Sequence, residues 1–295
     1  MTSPADTLRQ ILSQDRCHVM PCCYDGLTAK MIAQAGFPLT FMSGFAVSAA
    51  RLGLPDTGLI SYGEMVSQGR DICSATSIPV IGDGDTGYGN ALNVRRTVEG
   101  YARAGFAAVM IEDQVSPKRC GHTRGKLTVD RKEACERIRA AVDAREEGSD
   151  ILILARTDAR ETLGLEEAVD RAKAFSDLGA DILFVEAPRT LGEMETICRD
   201  APGIHMANMI RGGKTPVLPP EDLHAIGFKI AAYPLTLLSA AMTAVANALS
   251  DLKAGKHPED IMDFPELRQR VGFDDYYKME ARYAASARNP ERGKK

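Results

Sequence analysis

The chain has no paired CxxC spacing, no basic patch, no membrane-length apolar run and no linker-like tract, and each absence narrows what it can be. Its seven cysteines, Cys17, Cys22, Cys23, Cys73, Cys120, Cys135 and Cys198, lack the spacing of a zinc site. An odd count in a long chain fits reduced thiols in the cytoplasm better than a disulfide framework. The net charge is -4 with a pI near 5.8, and the cations are scattered. That pattern argues against nucleic acid or an anionic membrane as partner, while leaving room for a small acidic metabolite. The opening stretch MTSPADTLRQILSQDR is polar with helical spacing and has no signal-peptide apolar core, which again predicts a cytoplasmic protein. No Pro/Ser/Gly-rich tract divides the chain, so one domain is expected over residues 1–295, with a helical extension at 255–288 and a tail at 289–295.

What is present is an alternation. Short β-rich runs fall at 18–23, 38–44, 78–85, 106–113, 151–158, 182–187, 204–210 and 229–234. Helical stretches such as NVRRTVEGYARAG and LEEAVDRAKAFSDLG lie between them, several stopped by glycine. Eight β units with intervening helices in 295 residues predict an α/β fold, a (β/α)8 TIM-type barrel.

A barrel of this kind carries its site at the carboxyl ends of the strands. Read in order, the predicted ends hold Ser43 and Gly44, Asp83 and Asp85, Glu112 and Asp113, Arg156 and Asp158, Glu186, and Asn208. Alternation along a strand places Asp83 and Asp85 on one face, with Gly84 leaving room between them and Glu112 arriving from the next strand. Three converging carboxylates suit a hard divalent cation, Mg²⁺ or Mn²⁺. Arg156 and Asp158 can also be read as a local structural ion pair, and Asn208 as a turn cap. In EDQVSPKRCGHTRGK, residues 112–126, Cys120 lies among Lys118, Arg119, His122 and Arg124. Such surroundings favour a thiolate, and the alternatives of packing, redox sensing and catalysis all stay open on residue type alone.

KRCGH at 118–122, together with SGFAVSAARLGLPDTG at 43–58, GDGDTGYG at 82–89, ED at 112–113, ARTDA at 155–159 and MANM at 206–209, resembles the isocitrate lyase/phosphoenolpyruvate mutase superfamily. Within it, QVSPKRCGHTRGK, GGKTPVLPPEDL and KIAAYPLTLLSAA look most like the branch of petal death protein, 2,3-dimethylmalate lyase and methylisocitrate lyase, often labelled carboxyvinyl-carboxyphosphonate phosphorylmutase. The resemblance implies that Asp83 contacts Mg²⁺ while Asp56, Asp85 and Glu112 hold its waters. It also implies that the Ser43 and Gly44 amides and Arg156 bind the 2-oxo-acid end of the substrate, with Phe45, Tyr24, Gly121, Glu186 and Asn208 around it. Lys118, Cys120 and His122 would arrive on a gating loop.

The implied reaction is retro-aldol cleavage of a 2-hydroxy dicarboxylate, of 2-alkylmalate, 2,3-dimethylmalate or 2-methylisocitrate type, to a 2-oxo acid such as pyruvate plus a carboxylate. Negative charge develops on both fragments, so Mg²⁺ and Arg156 would supply electrostatic stabilisation and the Cys120 thiol would protonate the carbanion. Where relatives offer a tyrosine as base this chain has Phe41 and Phe45, which leaves Tyr24, Glu112 or a metal-bound water as candidates. Oxaloacetate hydrolysis and phosphonopyruvate mutase or hydrolase chemistry are the alternatives. The amphipathic segment 263–285 resembles the helix that relatives exchange between subunits, and so implies a homotetramer built as a dimer of dimers.

Overall fold

The computed structural model describes residues 2–120 and 125–287, with the side chains of 285–287 left out of account. Eight parallel strands close in sequence order into a barrel: β1 (His18–Cys23), β2 (Thr40–Met42), β3 (Val80–Asp83), β4 (Ala108–Glu112), β5 (Leu152–Thr157), β6 (Ile182–Val185), β7 (His205–Asn208) and β8 (Phe228–Tyr233). β1 closes the barrel against β8, with His18 opposite Ile230 and Pro21 opposite Tyr233. Each strand overlaps the corresponding apolar run, and Asp83, Glu112, Arg156 and Asn208 lie at the carboxyl ends of β3, β4, β5 and β7, still paired in the ladder.

Period-two alternation sorts the side chains into two cores. Met20, Ile81, Met110, Leu154, Phe184, Met206 and Ile230 point inward and form the barrel interior. Val80, Val109, Ile111, Ile153 and Leu183 point outward and pack under the surrounding helices, with Met65, Val98, Tyr101, Ile138 and Phe175. The helix Pro4–Leu12 contributes Ala5, Leu8, Ile11 and Leu12 to the interior cluster. It sits at the amino-terminal end, where His18 Nε2 meets the Ile11 carbonyl at 2.9 Å. The opposite end is left to the polar rim.

The chain divides into two compact units, residues 1–240 and 241–295, so the division falls inside the helix Thr236–Lys253. In the second unit the segment 263–285 forms two helices, Phe264–Val271 and Phe273–Ala287, interrupted where Gly272 adopts φ 108°. Phe264, Tyr276, Met279 and Tyr283 are exposed there. Among the described residues no helix is long and apolar enough to cross a membrane.

Candidate active site

The inward register carries straight into the rim. Two residues after Ile81, Met110, Leu154, Phe184 and Met206 stand Asp83, Glu112, Arg156, Glu186 and Asn208. The same alternation that fills the interior therefore delivers five polar side chains to one end of it. A cavity opens there, floored by Phe41, Met110, Phe184 and Met206 and walled on one side by Asp56, Asp83, Lys118, Arg156, Glu186 and Asn208. Phe45, Ile210, Pro234 and Leu235 form an apolar wall, and Cys120 lines the same space.

The carboxylates expected to converge do not meet at one point, and among the described residues no three acidic, thiol or imidazole side chains are gathered as direct metal ligands. Buried like charges stay apart unless a cation separates them, and here Lys118 does so. Its ammonium lies 2.6 Å from Asp56 Oδ1 and 2.8 Å from Asp85 Oδ1, with all three side chains 5% exposed. Burial acts to lower the Lys118 pKa, but Asp85, Asp83, Asp56 and Glu112 together hold it well above the ordinary lysine value. Burial pushes Asp85 up to about 7 against the pull of Lys118, and Glu112 well above the carboxylate range against Arg156 and Lys118. Asp85 sits at φ 48°, a strained conformation for a non-glycine residue, its amide donating to Asp83 Oδ1 at 3.1 Å.

This donor set fits a hydrated divalent cation. It is all oxygen and buried, Glu112 Oε1 accepts no hydrogen bond among the described residues, and Asp56 Oδ1 and Asp85 Oδ1 face the Lys118 ammonium alone among the described donors. Waters on a hard cation supply such hydrogens. The Gly44 amide, expected at the substrate, donates instead to Asp83 Oδ2 at 3.1 Å. A Cβ on Gly44 would lie 2.5 Å from that oxygen, so only glycine lets the Ser43-capped turn approach Asp83 this closely.

Arg156 is held from three sides. Asp158 accepts from its Nε at 2.8 Å and Nη2 at 3.1 Å, Glu186 Oε2 lies 3.2 Å from Nη2, and Glu112 Oε2 lies 3.4 Å from Nε. The guanidinium also stands 5.3 Å from the Phe184 ring centre. Burial would raise the Asp158 pKa, but Arg156 and Lys126 overcome it and hold the carboxyl well below its usual range. Asn208 Nδ2 donates to Glu186 Oε2 at 3.1 Å, which fixes that carboxylate beside the arginine. The ion-pair reading of Arg156 and Asp158 and the site reading thus describe the same arrangement.

The segment carrying Lys118 and Cys120 is pinned at its base. Val115 N donates to Leu127 O at 2.8 Å, and Gln114 clamps Arg119 with its Oε1 and Nε2 at 3.0 and 2.8 Å. Gly58, at φ 74°, leaves room for the Lys118 backbone, since a Cβ there would come within 3.2 Å of Lys118 N. At the far foot Lys126 Nζ donates to Asp158 Oδ1 at 2.7 Å, both side chains being fully buried. Gln114 and Lys126 belong to the loop motif too, but nothing in residue type shows which acceptor a lysine will reach.

Tyr24, named for substrate contact and as a base, is not among the cavity residues and packs against the outer core. Alternation explains the difference: Cys22 faces the cavity and Cys23 the outer core, after which the strand ends and Asp25 caps the next helix, so Tyr24 leaves the inward register. Phe41 and Phe45 both reach the cavity. Gly121 and His122 lie outside the described residues.

Comparison with known proteins adds a family. Residues 8–253 match the family described as phosphoenolpyruvate phosphomutase. The 2,3-dimethylmalate lyase of Eubacterium barkeri is 41% identical over 284 residues, covering 95% of this chain and 98% of the relative. A structure of oxaloacetate acetylhydrolase in complex with the inhibitor 3,3-difluorooxalacetate superposes with a TM-score of 0.90 at 35% identity, covering 96% of this chain and 97% of that one. Phosphonopyruvate hydrolase in complex with oxalate and Mg²⁺ gives 0.84 at 30% identity, covering 96% and 100%. With the closed barrel, the inward register that ends in Asp83, Glu112 and Arg156, and likeness over nearly the whole length, the chain belongs to the phosphoenolpyruvate phosphomutase family, within the PEP mutase/isocitrate lyase superfamily of enzymes.

Proposed function

We propose that the chain is a Mg²⁺-dependent carbon-carbon lyase that cleaves a 2-hydroxy dicarboxylate to a 2-oxo acid and a monocarboxylate. The observation that carries this reading is one cavity lined by a thiol, Cys120, by the cations Lys118 and Arg156, and by carboxylates suited to a hard cation. A phosphonate mutase or hydrolase has no use for the thiol. Arg156 binds the carboxylate or developing oxyanion of the 2-oxo fragment, and Asp158, Glu186 and Asn208 keep its guanidinium aimed. The bound metal would be held by Asp83 with Asp85, Asp56 and Glu112, and supplies positive charge for the oxyanion. As the bond between C2 and C3 breaks, its electron pair passes to the carbon bearing the leaving carboxylate. The Cys120 thiol gives that carbon its proton, and the proton lost from the hydroxyl balances the one the thiolate must regain.

The apolar wall of Phe45, Ile210, Pro234 and Leu235 suits an alkyl substituent, so 2-alkylmalates and 2,3-dialkylmalates are the leading substrate class, with 2-methylisocitrate next. Likeness to oxaloacetate acetylhydrolase supports oxaloacetate hydrolysis as the second reading, since the same site would stabilise the enolate of acetate. The enzyme is cytoplasmic in this proposal and assembles as a homotetramer, which would cover the exposed Phe264, Tyr276 and Tyr283.

The test is a lactate-dehydrogenase-coupled assay of 2-oxo acid release across 2,3-dimethylmalate, 2-ethylmalate, 2-methylisocitrate and isocitrate, with and without Mg²⁺. Metal-dependent cleavage of one of them, abolished in Cys120→Ser, is the expected result. Silence on all four with turnover of oxaloacetate moves the assignment to the second reading.

A further inference from the structure

Glu112 continues the inward register of Met110, and Asp113 turns the other way, to the side that Val109 and Ile111 share with the helices. That side is built of apolar packing, so a carboxylate buried there needs hydrogen-bonded partners. Asp113 Oδ2 accepts from Thr157 Oγ1 at 2.6 Å and from Arg171 Nη1 at 2.9 Å, and Oδ1 accepts from the Asp158 amide at 2.9 Å. The Asp113 and Arg171 side chains are each 1% exposed. Arg171 lies on the helix Leu165–Asp177, where Glu167 accepts from its Nε at 2.8 Å. The Asp158 contact takes the place of a ladder bond. Leu152 N donates to Ala107 O at 2.9 Å, and that bond, continued in steps of two up parallel β4 and β5, would bring Asp158 N to the Asp113 carbonyl. Val129 N already occupies that carbonyl, at 2.9 Å. The Asp113 side chain supplies the acceptor instead, where Asp158 turns out of the ladder at φ −97° and ψ 7°.

We propose that Asp113, backed by Arg171, is a positioning residue for the reaction: it fixes the end of β5 so that Asp158 can hold Arg156 over the cavity. The inference rests on the role given to Arg156 above and not on which acid is cleaved. Asp113 is not among the cavity residues, so it acts through others. Its two oxygens grip consecutive residues, the Thr157 hydroxyl and the Asp158 amide, which fixes the direction in which the Asp158 side chain leaves the strand. That side chain accepts from Arg156 at 2.8 and 3.1 Å and from Lys126 at 2.7 Å. Arg171 supplies the countercharge from the helix layer, so the carboxylate stays ionised and aimed although it is buried. A displacement of about 1 Å at a group that meets the reacting atoms costs about a hundredfold in rate, even when its cause lies outside the cavity.

The test measures kcat and KM on the full chain, with whichever acid wild type turns over, oxaloacetate included. Asp113→Asn keeps the shape of the side chain but leaves one acceptor oxygen for three donors. Its kcat should fall at least about tenfold with KM changed less than about threefold, since Arg156 acts on charge that grows in the transition state. Thr157→Val should lower kcat at least about fivefold, and Thr157→Ser, which keeps the hydroxyl, should stay within about twofold of wild type. Phe175→Leu trims the outer core on the helix that carries Arg171, and should lower the melting temperature while keeping kcat within about twofold. An unchanged kcat in folded Asp113→Asn overturns the inference, and so does an equal loss in Phe175→Leu, which would show general loosening. Should Asp113→Asn fail to fold, the Thr157 pair decides: equal kcat in Thr157→Val and Thr157→Ser refutes the proposal. If wild type turns over no acid, the lyase reading fails by itself, and crystal structures of wild type and Thr157→Val decide this inference. Asp158 displaced from Arg156 in the variant upholds it, and Asp158 still paired with Arg156 overturns it.

Discussion

The contact between Lys126 and Asp158 joins the foot of the Cys120 loop to the carboxylate that holds Arg156, and a double-mutant cycle on Lys126→Met and Asp158→Asn measures it. Both side chains are fully buried and 2.7 Å apart. Removing one partner of such a pair leaves an uncompensated buried charge, at a cost of about 3–5 kcal/mol. Lys126→Met belongs at the lower end, because Asp158 keeps its two hydrogen bonds from Arg156 at 2.8 and 3.1 Å. Asp158→Asn belongs at the upper end, since the charge it removes serves both Lys126 and Arg156, and Arg156 falls back on Glu186 and Glu112 at 3.2 and 3.4 Å. At roughly 2–4 °C per kcal/mol in a chain of this order of size, Lys126→Met should melt about 6–12 °C below wild type. The double variant should lose about 2–3 kcal/mol less than the sum, because the second substitution removes a charge already stranded. In the coupled assay both single variants should lower kcat more than they raise KM, if Arg156 acts on charge that appears in the transition state. Losses that add to within about 0.5 kcal/mol would show that the pair is not the coupling element, and the argument about the foot of the loop would fail.

Gly44→Ala should fold, with its Cβ displacing the Asp83 carboxylate it would otherwise meet at 2.5 Å. A shift of that kind at a reacting centre costs about a hundredfold in kcat/KM, and undiminished turnover would show that Asp83 placement does not matter. Burial lowers the pKa of His205 below 6.5, so the unfolded chain binds its proton first as pH falls. Stability is then full above the unfolded pKa and declines below about pH 6.5, and His205→Gln should flatten that slope in urea titrations at pH 7.5 and 5.5. Cys120→Ser should leave the melting temperature within about 2 °C of wild type while abolishing cleavage, since the residue lines a cavity rather than a core.

Light scattering provides a check on assembly. A species of four chains agrees with the proposed tetramer, and a monomer removes the partner surface assigned to the exposed aromatics of the second unit.

Much of this molecule is written locally. The eight apolar runs, their polar ends and the glycine-stopped helices between them specify a barrel and the end that carries its site, because strand alternation and the barrel rule need only sequence spacing. Five rim residues, Asp83, Glu112, Arg156, Glu186 and Asn208, follow from that spacing alone. What the tertiary structure decided is which charges meet. The Gly44 amide turns to Asp83, Tyr24 leaves the inward register once its strand has ended, and two lysines eight residues apart reach different carboxylates, Lys118 to Asp56 and Asp85, Lys126 to Asp158. A charged side chain buried at a barrel mouth takes its partner from whichever strand the closed sheet brings beside it, and closure is a property of all eight strands together.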